Sequence, residues 1–304
     1  MNDAITLTTA RSRLTIEPRG GCVATSWLVD GAEVLALPAP LEAFLASART
    51  GGIPLLYPWA NRLRTDRFTA ADRPIDLSRV PDLKRDGNGL PMHGLLLRWK
   101  AWHLGRHGDA GLEARLDWRE HDALMSAWPF PHTLRIIWQL RDEGASACLD
   151  VTTRIDADGG CAVPVAFGWH PYFAVPSVAG SRLTLPSRRP IALDARGLPD
   201  SAAARAEPLP AGEAPCCHGD DALFERADAG RGSATVHLAA RHVRIDLGRE
   251  YPFMQLFSPA AAASGVACVE PMTAATSALT DGGAPLVQAD GSLRATFTIS
   301  VTME

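Results

Sequence analysis

The chain has almost no lysine. Lys84 and Lys100 are the only two among 30 basic residues, so the other 28 are arginines. Schiff-base or pyridoxal chemistry would have to use one of those two, and neither sits in a suggestive setting. Cysteine is also scarce. Cys22, Cys148, Cys161, Cys216, Cys217 and Cys268 form no C-x-x-C pair, and the chain is too long and too cysteine-poor for a disulfide scaffold. No apolar run approaches the roughly 18 residues of a membrane span. Residues 1–21 lack the basic and continuous apolar regions of a secretory signal. The expectation is therefore a reduced, cytoplasmic, soluble protein. Charge of one sign is missing too: the formal net charge is -4 and no basic stripe or acidic tail appears. That speaks against a nucleic-acid partner and against a polybasic membrane contact.

Cofactor motifs are absent as well. There is no phosphate-binding G-x-x-x-x-G-K-[ST], no G-x-G-x-x-G after a strand and no G-x-S-x-G elbow. His103 and His107 have i,i+4 spacing, but Gly105 lies between them and no H-E-x-x-H exists. Cys216, Cys217, His218, Asp220 and Asp221 crowd together. Adjacent cysteines suit one tetrahedral ion badly, so the cluster reads as a loop with incidental thiols. Neither metal nor other cofactor is expected.

Helix signal is thin. Leu41 to Ala46 and His121 to Met125 could each supply a turn or two, and 201–215 reads as a loop or short helix. What is abundant is alternation. Leu14 and Ile16, then Leu112, Ala114, Leu116 and Trp118, then Leu134, Ile136, Trp138 and Leu140 alternate with polar neighbours. Leu149, Val151, Thr153 and Ile155 do the same, followed by Val236 and Leu238, then Val243, Ile245 and Leu247. Leu293, Ala295, Phe297, Ile299 and Val301 close the series. Period 2 is the mark of half-buried antiparallel strands. Gly 26 plus Pro 23 supply frequent turns between them. Asp30-Gly31 and Asp290-Gly291 stand out, the second reading as a two-residue hairpin turn with both central residues at φ > 0. The reading is all-β: one domain over 1–304, an antiparallel β-sandwich with few short helices.

Four segments set a polar residue inside an apolar, strand-like run. They are Gly51 to Arg62, which ends in Asn61-Arg62, Leu90-Pro91-Met92-His93-Gly94-Leu95, Pro164 to Phe173 with Gly168-Trp169-His170-Pro171, and Val266-Ala267-Cys268-Val269-Glu270-Pro271-Met272. Taken singly each has a plainer structural reading. A histidine beside glycine is a core or turn residue, and a glutamate before proline is a strand end in water. Together, one glutamate, two histidines and an arginine form an acid–base kit. Histidine transfers protons near neutrality. A glutamate in an apolar strand gains proton affinity and becomes a better base. The neighbouring aromatics offer flat faces to sugar rings.

At these residues the chain resembles the aldose 1-epimerase (galactose mutarotase) family. Pro58-Trp59-Ala60-Asn61-Arg62 with Phe68, His93-Gly94 with Trp102, Gly168 to Phe173, Asp221-Ala222-Leu223-Phe224 and Cys268 to Pro271 follow the family's order through nearly the whole chain. The resemblance implies a β-sandwich of the galactose-mutarotase (supersandwich) type, cofactor-free, that interconverts the anomers of free aldoses. It implies Glu270 as general base and His170 as general acid. Asn61, Arg62, His93 and Asp221 would bind sugar hydroxyls, Asp221 being chosen over Asp220 for its distance from Phe224. The sequence departs from the family at Thr65-Asp66-Arg67, where a glycine is usual, and at Ala275-Thr276-Ser277, where proline and asparagine are frequent. The implied partner is a small monosaccharide, and the chain is read as a monomer or homodimer. Two other functions fit the same frame. A hexose-6-phosphate 1-epimerase would need a cationic pocket, for which Arg64, Arg67, Arg98 and Arg189 are candidates. A non-catalytic sugar binder would need neither Glu270 nor His170.

Overall fold

The computed structural model describes residues 3–175, 181–216, 219–227, 232–238, 241–260 and 265–303. They fold into antiparallel sheets with three short α-helices, Leu41–Leu45, Asp122–Ala127 and Ala278–Asp281. The antiparallel β-sandwich expected from the alternation is present, consistent with the mutarotase-like type that the resemblance implies.

The largest sheet has nine strands in the spatial order Gly212–Pro215, Arg182–Leu185, Gly232–Leu238, Arg241–Leu247, Ser292–Met303, Ser146–Ala157, His132–Glu143, Gly111–Asp117 and His103–His107. Its inner face is the alternating set. Ile136, Trp138, Val151, Ile155, Ile245, Phe297 and Ile299 are all fully buried. Register places Trp138 opposite Val151 and Val151 opposite Phe297, so the rows interdigitate across strands.

The second sheet holds Arg188–Ile191, Asp221–Arg226, Phe253–Phe257, Val266–Met272, Gly168–Trp169 and Leu55–Leu56, with Tyr172–Ala174 also on Val266–Met272. Every residue of Val266–Met272 is buried. A strand covered on both faces carries no alternation, and so no period-2 signal. A four-stranded sheet of Ile5–Thr8, Ser12–Glu17, Val23–Val29 and Ala32–Glu33 packs onto the same core.

Two local expectations are corrected, and one helix is added. Asp290-Gly291 is not the centre of a hairpin. Gly291 N donates to Gln288 O at 2.9 Å, and Asp290 alone has positive φ, so the turn sits one residue earlier. The strands it joins lie in different sheets. The two-residue hairpin is instead Asp30-Gly31, with φ of 48° and 83° and Val29 paired to Ala32. The 201–215 stretch ends in an edge strand, Gly212–Pro215, where a proline is tolerated because one side of the strand needs no partner. The helix Ala278–Asp281 had no reading in the sequence.

His103 and His107 lie on one strand, about 13 Å apart at the usual strand rise, too far to share an ion. Cys217 and His218 lie outside the described residues. Among the described residues no three His, Cys, Asp or Glu side chains could hold a metal ion. No helix among them is long and apolar enough to cross a membrane.

Candidate active site

The site grows from the period of the second sheet. Trp169 is fully buried, and its indole Nε1 donates to Thr153 Oγ1 of the large sheet at 3.0 Å. Its ring meets Trp138 edge-on at 6.1 Å. Trp169 therefore pins this strand into the space between the sheets. Successive side chains of a strand alternate, so His170 turns to the opposite face. Val269 joins the inter-sheet core in the same way and leaves Glu270 on the far side. Gly168 brings the pieces close. A Cβ there would meet Pro271 O at 2.7 Å and Ala60 Cβ at 3.0 Å. Only glycine lets the His170, Glu270 and Asn61 segments approach this far.

Asn61 and His93 come from two loops in left-handed conformation, with φ of 55° and 64°. Such backbone costs a non-glycine residue roughly 1–2 kcal/mol and clusters at functional sites. The loops hold each other: His93 N donates to Asn61 O at 2.9 Å, and Leu95 N donates to Tyr57 O at 2.7 Å. Gly94, at φ of 74°, makes the second contact possible, since a Cβ would lie 2.1 Å from that same Tyr57 oxygen. Gly94→Ala should therefore destabilise the fold by about 3 kcal/mol or more, combining backbone strain with a clash against main chain. Denaturant unfolding measures it, and an unchanged midpoint would show that the loop can give way.

The six side chains named from the sequence meet in one place. His170 Nε2 lies 3.4 Å from Glu270 Oε1, both side chains being almost fully buried. His93 packs edge-on against His170 at 5.6 Å between ring centroids. Arg62 bonds Asn61 Oδ1 at 3.0 Å and Asp86 Oδ2 at 2.9 Å, and its Nη2 lies 3.5 Å from Asp221 Oδ2. It is Asp221 of the Asp220-Asp221 pair that faces Arg62. Gln255 closes the circuit. Its amide Nε2 donates to Asp221 Oδ1, and in register it is the cross-strand neighbour of Glu270.

Several polar atoms at the centre have no partner. Glu270 Oε2, His170 Nδ1, His93 Nδ1 and Gln255 Oε1 are buried without a hydrogen bond. Each such orphan costs about 1–3 kcal/mol. Four such atoms gather in one ring of residues, which leaves hydrogen-bonding capacity concentrated there. Arg62, already tied to Asp86 and Asn61, presents a guanidinium braced for planar recognition rather than a free charge.

The electrostatics follow from burial. Loss of water, reinforced by the charge of Asp221, holds the Glu270 carboxyl well above the ordinary carboxylate range, while Arg62 pulls the other way. Burial, with the charge of Lys84 adding to it, lowers His170 to about 3. Burial also pushes His93 well below its usual value, helped by the nearby positive charges of His170, Lys84 and Arg62. Within the Glu270–His170 pair the carboxyl thus gains proton affinity and the imidazole loses it, so a proton shared between them is drawn toward the carboxyl.

A family model described as aldose 1-epimerase matches residues 3–299. The chain belongs to the aldose 1-epimerase family. No curated protein matches it in sequence. Among solved structures, a protein from Synechocystis sp. PCC 6803 is 23% identical, with a TM-score of 0.78 over 99% of this chain and 96% of that one. A galactose mutarotase related enzyme from Lactobacillus acidophilus is 16% identical, with a TM-score of 0.78 over 99% and 97%. A galactose mutarotase-like protein from Clostridium acetobutylicum is 18% identical, with the same TM-score over 99% and 95%. At these identities the likeness shows the shared fold.

Within this aldose 1-epimerase fold, four neighbours of the site had no role in the sequence reading. Gln255 was findable. It is an amide inside the apolar run Phe253-Met254-Gln255-Leu256-Phe257, the same kind of signal that singled out Glu270. Asp86 and Thr50 lie in polar loops and carry no such mark. Tyr172 sits in the quoted motif, and its role emerges only in three dimensions. Its ring stacks on His170 at 4.3 Å, and its hydroxyl lies 3.0 Å from His170 Nε2 and 2.6 Å from Thr50 Oγ1. The residue just before the first departure from the family pattern, Arg64, meets the second. Arg64 N donates to Ser277 Oγ at 3.2 Å, and the Arg64 guanidinium forks onto Asp281 with both bonds at 3.0 Å.

Proposed function

We propose that the protein is an aldose 1-epimerase acting on neutral free aldoses. The observation that carries this is the buried Glu270–His170 pair, 3.4 Å apart, with an unpartnered oxygen on one member and an unpartnered nitrogen on the other. Anomer exchange opens a hemiacetal. Glu270, as carboxylate, takes the proton of the anomeric hydroxyl while His170, as imidazolium, gives one to the ring oxygen. The aldehyde turns about the C1–C2 bond, the ring closes on its other face, and the two residues exchange roles. Each assisted transfer contributes about 10²–10⁴-fold. The ionic and neutral forms of the pair hold the same single proton and differ only in whether it sits on His170 or on Glu270. Asn61, Arg62, His93, Asp221 and Gln255 hold the hydroxyls and keep the ring in register with the pair.

The arginines favour a neutral substrate over a phosphorylated one. Arg64 is bound to Asp281, Arg67 to Asp76 and Arg189 to Glu225. Arg98 is bound to the Leu97, Phe44 and Arg49 carbonyls. Arg62, beside the pair, already faces Asp86 and Asp221, so a phosphate there would meet two carboxylates. A purely binding protein would gain nothing from a buried carboxyl whose oxygen lacks a partner.

Polarimetry on freshly dissolved α-anomers of glucose, galactose, xylose and arabinose, beside glucose 6-phosphate, tests this. Acceleration with at least one neutral sugar is expected, and acceleration with the phosphate alone would overturn the choice of substrate. The pH profile carries a second expectation. The competent pair holds one transferable proton, lost on the alkaline side through Glu270 and doubled on the acid side through His170. Catalysed kcat/KM should therefore stay level as pH falls through 6.5 and decline only toward about 3, with its alkaline limb well above the usual carboxylate value. An acid limb at ordinary histidine pH would show that His170 is not buried during turnover.

A further inference from the structure

Three cations gather on one flank of the protein, each held by neutral backbone carbonyls. Lys84 Nζ donates to the Ala48 carbonyl at 2.8 Å. Arg98 donates to the Arg49 carbonyl at 2.7 Å and the Phe44 carbonyl at 3.0 Å, and its guanidinium lies over the Phe44 ring. The Arg49 side chain donates to the Pro38 carbonyl at 3.2 Å. Among the described residues none of these three forms an ion pair, whereas Arg62, Arg64, Arg67, Arg85 and Arg189 each do. Partial burial, with the charges of Arg98 and Arg49 adding to it, lowers the proton affinity of Lys84. Neutral carbonyls satisfy hydrogen bonds but leave the charge uncompensated.

Beside Lys84 and Arg98 opens a cavity of about 460 Å³. Its walls are otherwise largely apolar, with Leu83, Leu95, Leu97, Trp99 and Leu124 contributing most of the bulk. Two of its lining residues have donors that are buried and unpartnered, Arg98 Nε and Trp99 Nε1. Asp76 also lines it but is taken by Arg67 and Ser78, while Asp82 and Arg79 add exposed charges of opposite sign. None of the six residues of the candidate active site lines it. The volume falls within the range of about 300–1,000 Å³ typical of small-molecule sites.

We propose that this cavity binds a small amphipathic carboxylate, its head on Lys84 and Arg98 and its apolar body among Leu83, Leu95, Leu97, Trp99 and Leu124. Charge complementarity selects the head, since a carboxylate would supply the counter-charge the three cations lack. The walls select the body. A sugar or sugar phosphate would set several hydroxyls against leucine side chains with nothing to bond them. The ammonium of Lys84 is also felt electrostatically at His93 and His170, so the cavity lies within reach of the catalytic pair.

Isothermal titration of the intact protein with octanoate tests the site, with 1-octanol and inorganic phosphate as separate probes. Octanoate should bind at low millimolar concentration or tighter, and each control at least about tenfold more weakly, because each lacks one half of the recognition. Lys84→Met should weaken octanoate binding at least about tenfold. Ala123→Phe, which fills the cavity from the exposed side of Asp122–Ala127, should abolish it while leaving aldose mutarotation unchanged. No octanoate binding at about 10 mM, a Kd near the weak end of measurable affinity, would overturn the proposal. So would binding that both variants leave intact, or phosphate binding as tight as octanoate.

Discussion

Glu270→Gln should lower kcat/KM for mutarotation by about 10²–10⁴-fold and at the same time make the protein more stable at neutral pH. The first effect follows from removing the proposed base while keeping its shape. The second follows from the cost of burying a carboxyl. Its affinity for protons is raised in the folded state, so its favourable contribution is present below the unfolded value of about 4.5 and is lost as pH rises toward the folded one. At neutral pH the unfolded chain gains more by ionising this group than the folded chain does. Glutamine removes that imbalance. The variant should therefore melt a few degrees higher at pH 7, a gain on the order of 1 kcal/mol. Its advantage should shrink as pH falls toward 4.5. Melting curves of both proteins at pH 4.5 and pH 7 test the sign. A variant that is less stable at both would mean that the Glu270–His170 contact stabilises the fold outright. Retained activity would remove Glu270 from the reaction.

His170→Gln should cost a similar 10²–10⁴-fold in kcat/KM, and the double variant with Glu270→Gln should lose little more than either alone. In the proposed mechanism the two groups pass one proton between them and act as a unit, so removing either should stop the exchange. Additive losses would instead show two independent contributions, for example one of chemistry and one of sugar binding. The histidine variant should also change the acid side of the pH profile, since the group lowered to about 3 is gone. Polarimetry of the single and double variants at equal concentration decides between these outcomes.

Much of the fold was legible because it is local. The run from Leu134 to Leu140 alternates, and those side chains form one wall of the core. The final strand from Leu293 to Val301 behaves likewise. The strand that carries Glu270 was harder, because it is buried on both faces and its neighbours are uniformly apolar. There the only mark was an acidic residue where one is costly. The misplaced Asp290-Gly291 turn shows the limit of dipeptide rules. The same chemistry makes a hairpin at Asp30-Gly31, because the chain there returns along its own strand. At Asp290 it crosses to another sheet.

The scarcity of lysine, the absence of cofactor motifs and the His and Glu residues set in strand-like runs were determined by the sequence alone. They are enough to name the kinds of side chain available for chemistry. The tertiary structure decided which of them touch and in which direction burial shifts their proton affinities. Asp221 stands beside Arg62, Gln255 spans from Asp221 to Glu270, and Lys84 joins Arg98 and Arg49 from separate loops. Strand alternation repeats every two residues and can be read from neighbours in the chain. Desolvation is a sum over atoms contributed by segments more than a hundred residues apart, so the shift of a buried carboxyl or imidazole exists only once those segments have packed.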